Sequence, residues 1–170
     1  WLSYLNDYEV IEASMKFHYA DVFKASIDSS VEAELELKRS LNSEEILFNL
    51  IDHEHFVVLQ PLSSDIKKNY PLNQLFDCVK KFLGKTSGVG VYVLCAPNEE
   101  SELMAALNSA NIDDSRVKII NCNLEEAYSI IQKAKVVVSV DTIFKHMAAA
   151  ANTPIVEISL GSSDVHMTGA

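Results

Sequence analysis

From residue 56 onward the sequence predicts an α/β fold, a doubly wound parallel sheet of about five strands, and three observations carry that reading. Short apolar runs alternate regularly with amphipathic stretches along the chain. The runs are β-branched and apolar throughout, as expected of strands covered on both faces, and do not alternate apolar with polar. The stretches between them are about 10 to 14 residues long, which suits right-handed crossover helices between parallel neighbours.

The elements follow in order. FVVLQ is the first strand, and PLNQLFDCVKKFLG is a helix that Pro71 opens where a missing N–H costs nothing and Gly84 closes as a C′ residue. A short KTSGVG turn at 85–90 leads to the strand VGVYVLCA and the helix ESELMAALNSA. RVKII, LEEAYSIIQKA, KVVVSV, IFKHMAAAA and PIVEISL complete the alternation as strand, helix, strand, helix, strand. Residues 1–55 differ in character, being acidic and helix-biased in VEAELELKRS and NSEEILFNLI, with a helix start at Ser43. The expected organisation is a helical connector over 1–55 and a Rossmann-like domain over 56–170.

Composition excludes several function classes. Fourteen basic against 24 acidic residues give a net charge of −10, which opposes a phosphate-backbone partner and argues against nucleic-acid binding. No apolar run reaches the roughly 18 to 20 residues of a membrane span, and the amino terminus has no signal-peptide pattern. Cys78, Cys95 and Cys122 lack CxxC spacing and are odd in number, so they read as buried, reduced thiols. His53 and His55, beside Asp52 and Glu54, have no third well-spaced ligand, so no metal site is expected. The first strand is followed by PLSSDIKK and not by GxGxxG, which argues against a dinucleotide-dependent oxidoreductase.

The most informative segment is VVVSVDTIFKHMAAAANTPIVEISLGSSD, residues 136–164, where two strands are joined through an Asp-Thr turn and an Ala-rich helix. Ligands of open parallel sheets settle at the carboxyl ends of strands, where the next helix offers unpaired N–H groups to phosphate. Asp141 and Thr142 stand at such a point.

Asp141, Thr142, His146, Ala148 to Ala151, Pro154 and Gly161 match in spacing an apolar strand, Asp-Thr-Gly-x-x-His, an Ala-rich helix, Pro, a strand and Gly. The segment thereby resembles the carboxyl-terminal signature of glycosyltransferase family 9, the ADP-heptose:lipopolysaccharide heptosyltransferases. QPLSSDIKKNYP is similar to the family's nucleotide-side loop, with Ser63 and Ser64 at hydroxyl positions, Lys68 at the lysine position and Tyr70-Pro71 for the common Trp-Pro. CAPNEESE, with Glu99 and Glu100, is similar to the family's Gly-x-x-x-Glu segment. One position departs from the pattern: Ile143 replaces the glycine that follows Asp-Thr.

The resemblance implies the carboxyl-terminal half of a GT-B glycosyltransferase, whose two domains need about 300 residues. On this reading the chain, starting at Trp1, is part of a longer polypeptide and its amino-terminal catalytic half is missing. The implied donor-binding set is Ser63, Ser64, Lys68, Glu99, Asp141, Thr142, Ile143 and His146. Lys68 would neutralise a departing nucleoside diphosphate, and Asp141 would accept from sugar hydroxyls or cap the helix. Thr142 would meet the diphosphate or cap. Ser63 and Ser64 would donate to phosphate or cap turns, and Glu99 or Glu100 would accept from ribose or favour a helix start. His146 would touch the donor, orient the turn or pack in the core.

No catalytic base is identifiable, and in the family it comes from the amino-terminal domain. The donor would be ADP-heptose or another ADP-sugar, with no cofactor and no metal, and the acceptor lipopolysaccharide or another glycan or lipid-linked acceptor. The protein would lie in the cytoplasm, or peripherally at the inner membrane of a bacterium. A second reading follows from Ile143: a degenerate domain that has lost donor binding and acts as an interaction or scaffold module.

Overall fold

The computed structural model describes residues 51–160. The acidic amino-terminal stretch, the helix start at Ser43 and Gly161 lie outside them. In chain order the elements are β1 (His55–Gln60), a 3-10 turn (Ile66–Lys68), α1 (Leu72–Leu83), β2 (Val89–Cys95), α2 (Glu100–Ser109), β3 (Val117–Asn121), α3 (Leu124–Ile131), β4 (Val136–Val140), α4 (Ile143–Ala150) and β5 (Ile155–Ile158).

The strands form one five-stranded sheet in the order β3-β2-β1-β4-β5. Every pairing is parallel: Val57 lies opposite both Val91 and Val136, Val93 opposite Ile119, and Val138 opposite Val156. Successive strand residues point to opposite faces, and helices pack against both. Phe56, Val58, Tyr92, Leu94, Ile120 and Val137 pack against α3 and α4. Leu59, Val91, Val93 and Cys95 pack with Leu75, Phe76, Val79 and Leu103 of α1 and α2. This two-sided packing is why apolar residues follow one another without alternation in runs such as Phe56 to Leu59 and Val91 to Leu94.

Local signals set the ends of the elements. Pro71 is the N-cap of α1, one residue before the first helical position, and its carbonyl accepts the Leu75 N–H at 3.0 Å. Gly84 caps the carboxyl end at φ −70°, a right-handed conformation that any residue adopts, so the C′ role expected of it is not used. Left-handed backbone falls instead at Gly88, φ +71°, in the turn before β2. Asn111 and Asn152 adopt it as well, at 51° and 54°, just beyond the C-caps of α2 and α4. Asn123 begins α3 with a full capping box: it accepts from the Glu126 N–H while Glu126 accepts from its own N–H.

The approach to β1 is fastened to the sheet through Tyr92. Its ring is fully buried, 4.9 Å from Phe56. Its Oη accepts the N–H groups of Asp52 (3.2 Å) and His53 (3.1 Å) and donates to Asp52 Oδ1 (2.9 Å). Lys118 closes on Asp52 Oδ2 at 2.7 Å. The His53 ring lies over Gly90, where an added Cβ would meet it at 3.1 Å. Among the cysteines the expectation of burial fails for Cys78 of α1, which is exposed, whereas Cys95 is buried and Cys122 half-buried.

Candidate functional site

The strand order places a crevice where the chain changes direction. From β1 the chain runs outward through β2 to β3, then returns to lay β4 on the other side of β1. The segments leaving β1 and β4 therefore diverge, with α1 on one face and α4 on the other, and the gap at their carboxyl ends is the ligand position of open α/β sheets. A cleft of about 570 Å³ opens there, within the usual range for small-molecule sites. Four segments line it: Gln60 at the end of β1 with Leu62 to Asp65 and Lys68 beyond it, Ala96 and Glu99 after β2, Cys122 to Leu124 after β3, and Asp141 to Phe144 after β4.

The loop after β1 is shaped by short hydrogen bonds. Asn69 Oδ1 accepts the Ser63 N–H at 2.7 Å, Ser63 Oγ accepts the Asp65 N–H at 3.3 Å, and Asp65 Oδ1 accepts the Lys67 N–H at 3.1 Å, capping the 3-10 turn. That turn ends at Lys68, whose Nζ donates to Asp141 Oδ2 at 2.6 Å across 73 residues of sequence. The other carboxylate oxygen, Asp141 Oδ1, is 2.7 Å from Lys145 Nζ, which also donates to Glu157 Oε1 at 3.0 Å. Burial pushes the Asp141 carboxyl up, but hydrogen bonds from Lys145 and Lys68 outweigh it and hold the group at about 2. The same bond raises the Lys68 ammonium above its ordinary range. Asp141 at neutral pH is thus a fixed anion and a weak proton acceptor, unsuited to act as a general base.

Thr142 is the N-cap of α4, and its Oγ1 accepts the Phe144 N–H at 3.2 Å. Ser139 Oγ donates to the Val140 carbonyl at 2.8 Å, so in its 3.2 Å contact with Thr142 the threonine hydroxyl is the donor. Glu99 Oε2 accepts the Ala96 N–H at 2.9 Å, while Glu100 accepts from Asn121 Nδ2 at 3.0 Å. Glu99 lines the cleft. The cleft cysteine, Cys122, is pushed up to about 12 by burial and then by Glu126, and Cys95 to about 11 by burial and then by Glu100. Both thiols are therefore protonated and unsuited to nucleophilic chemistry.

A family model for glycosyltransferase family 9 (heptosyltransferase) matches residues 8–170. The chain belongs to glycosyltransferase family 9. Solved structures share the fold. A family 9 glycosyl transferase from Veillonella parvula superposes with TM-score 0.65 at 13% identity, covering 83% of this chain and 43% of that one. E. coli ADP-heptose lps heptosyltransferase II gives 0.60 at 18% identity, over 72% and 38%. E. coli heptosyltransferase WaaC with ADP gives 0.54 at 20%, over 81% and 42%. The chain spans less than half the length of these structures. No curated protein sequence matches it.

Against the family pattern, the structure gathers Ser63, Ser64, Lys68, Glu99, Asp141, Thr142 and Ile143 around one cleft. His146 is exposed on α4 and is not among the residues lining it, so it is not a packed core histidine. Ile143 is the first residue of α4, half-exposed at the cleft rim, and needs no left-handed backbone. Sequence reasoning missed two members of the site. Gln60 is buried beneath the cleft; its Nε2 donates to the Leu62 carbonyl at 3.1 Å, and its Oε1 has no donor among the described residues. Lys145 is fully buried behind Asp141, and the signal for it was its four-residue spacing from that aspartate.

Proposed function

We propose that the cleft binds the diphosphate of a nucleotide-sugar donor and that the chain is the donor-binding part of a heptosyltransferase-like glycosyltransferase. The observation that carries this is the meeting of Lys68, Asp141 and the capped start of α4 at the sheet's direction change, with Ser63 and Ser64 beside them. A lysine and a helix amino terminus both favour negative charge, and glycosyl transfer develops it on the leaving diphosphate as the anomeric C–O bond breaks. Lys68 would stabilise that charge, Ser63 and Ser64 would donate to phosphate oxygens, Glu99 would accept from ribose hydroxyls, and Asp141 would accept from the sugar through its remaining lone pairs.

An ADP-sugar, ADP-heptose above all, is the donor we favour, because a solved family member carries ADP. The acceptor would be lipopolysaccharide or another glycan or lipid-linked acceptor. Asp141, held at about 2 by its two lysines, is a poor base for an acceptor hydroxyl, and we assign the base to an amino-terminal catalytic half. The setting would be cytoplasmic, at most peripheral to a bacterial inner membrane. No helix among the described residues is long and apolar enough to cross a membrane.

Isothermal titration of the 170-residue chain with ADP, UDP and ADP-heptose tests this. Saturable binding of an adenine nucleotide, weakened roughly tenfold by Lys68→Met, is the expected result. A second reading, a scaffold module that has lost donor binding, is favoured by the Ile143 side chain at the cleft rim. Its signature is no binding by the native chain and binding regained by Ile143→Gly.

A further inference from the structure

We propose that Lys145 is the resident counter-ion of Asp141, holding a positive charge against it from behind the cleft so that Lys68 can transfer to a ligand's diphosphate. The inference rests on the nucleotide-sugar reading above and adds a positioning residue to it.

The need for such a residue follows from the charges lining the cleft. Asp65, Glu99 and Asp141 line it, against Lys68 as the single lysine or arginine in that lining among the described residues. Lys68 is already committed to Asp141 at 2.6 Å. An incoming diphosphate would find an acidic surface whose cation is in use. If Lys68 then moved to phosphate with nothing behind Asp141, a largely buried carboxylate would be left uncompensated beside a new anion, which is strongly unfavourable.

Lys145 lowers that penalty. Its side chain is 0% exposed and bridges Asp141 Oδ1 at 2.7 Å and Glu157 Oε1 at 3.0 Å, each carboxylate being only 13% exposed. It lies one helical turn beyond Asp141 on α4, and Glu157 sits on β5 opposite Ser139 of β4. Enclosed by two acceptors and the sheet, Lys145 has no route to a ligand in the cleft. Lys68 differs: it ends a 3-10 turn on the loop after β1, and its side chain is 26% exposed. The two lysines on one aspartate thus divide the work, one fixed and one exchangeable. With Lys68 in place the row of two lysines and two carboxylates is neutral; when Lys68 leaves, the row carries one net negative charge, but Asp141 keeps a cation at 2.7 Å. The ligand class is an organic diphosphate, since a neutral nucleoside gives Lys68 nothing to exchange for.

The test is a double-mutant cycle on the full 170-residue chain, with pyrophosphate and ADP as calorimetric probes and circular dichroism to confirm folding. Lys145→Met combined with Glu157→Gln removes the buried cation together with its second carboxylate, so no charge is stranded on β5. In the presence of Asp141 this change is expected to weaken both probes roughly tenfold or more. In the Asp141→Asn background the same change is expected to cost under about twofold, because the charge it compensates is gone. Asp141→Asn alone, which releases Lys68, is expected to raise affinity for pyrophosphate and ADP. That variant keeps the inference testable if the Lys145 variant does not fold, since a loss of affinity there overturns it. Equal losses in both backgrounds, or none in a folded variant, also overturn it while leaving the nucleotide reading intact. A native chain that binds neither probe defeats that reading and the inference with it.

Discussion

Lys145 lies in IFKHMAAAA, a stretch in which one cation among apolar and alanine residues reads as a solvent-facing position. Its burial is decided by Glu157, twelve residues on, and by the packing of α4 on β4 and β5, none of which periodicity encodes. Ser63, Ser64, Lys68, Asp141 and Thr142 were legible because their spacing matches a family pattern at strand ends. Gln60 was not, because a polar residue closing a strand carries no spacing signal. Tyr92 shows the same blindness: its hydroxyl matters through Asp52 and His53, some forty residues earlier. Tyr92→Phe leaves two backbone N–H groups without their acceptor, and urea unfolding should show a loss of about 1–3 kcal/mol. Burial, then the bond to Asp52, pushes the Tyr92 hydroxyl up to about 12. A raised acid pKa favours the neutral form in the native state, so this contribution is intact below pH 10 and fades as pH rises toward 12. An unfolding midpoint in the phenylalanine variant equal to that of the native chain would refute this account of the strap.

Elements were more legible than single residues, because each of the nine strands and helices from β1 to β5 repeats one signal several times. The α1 helix buries Leu75, Phe76, Val79 and Leu83, a stripe readable from spacing alone. The ends were less so. Gly84 looked like a left-handed terminator and is right-handed, while Asn111 and Asn152, which no pattern singled out, take the left-handed positions. Asparagine tolerates that region through its short polar side chain, so it substitutes for glycine where a helix must stop. At the other end, Pro71 and Glu99 make no side-chain cap bond, whereas Asn123 makes a reciprocal pair with Glu126. Asn123→Ala should therefore destabilise the protein by about 1 kcal/mol, lowering its melting temperature. Glu126→Ala should show a partial loss, and a double variant less destabilised than the sum of the two would mark the box as one coupled unit.

At the scale of the molecule, five strands were countable in the sequence but their order was not, since adjacency is set by contacts between distant segments. The return of β4 to the far side of β1 creates the cleft and brings Lys68 to Asp141. The same long-range closure sets how stability responds to acid. Asp141 and Asp52 are both held at about 2 against an ordinary 3.8. For Asp141, Lys145 and Lys68 overcome the opposing effect of burial; for Asp52, the Lys118 bond leads. A depressed carboxyl pKa means the unfolded chain binds more protons between the two values, so stability rises with pH in that window. The contribution is complete above about pH 4 to 5 and is lost as pH falls toward 2. The two groups should separate by salt. Asp52 is half-exposed, so its pair with Lys118 is screened and contributes little, whereas Asp141 lies against a fully buried lysine. Urea midpoints measured from pH 7 to 2.5 should fall steeply at the acid end for the native chain. Asp141→Asn should flatten that fall at both low and high salt, and Asp52→Asn should do so only at low salt. An unchanged acid slope in the Asp141→Asn variant would mean that the row from Lys68 to Glu157 does not couple to folding.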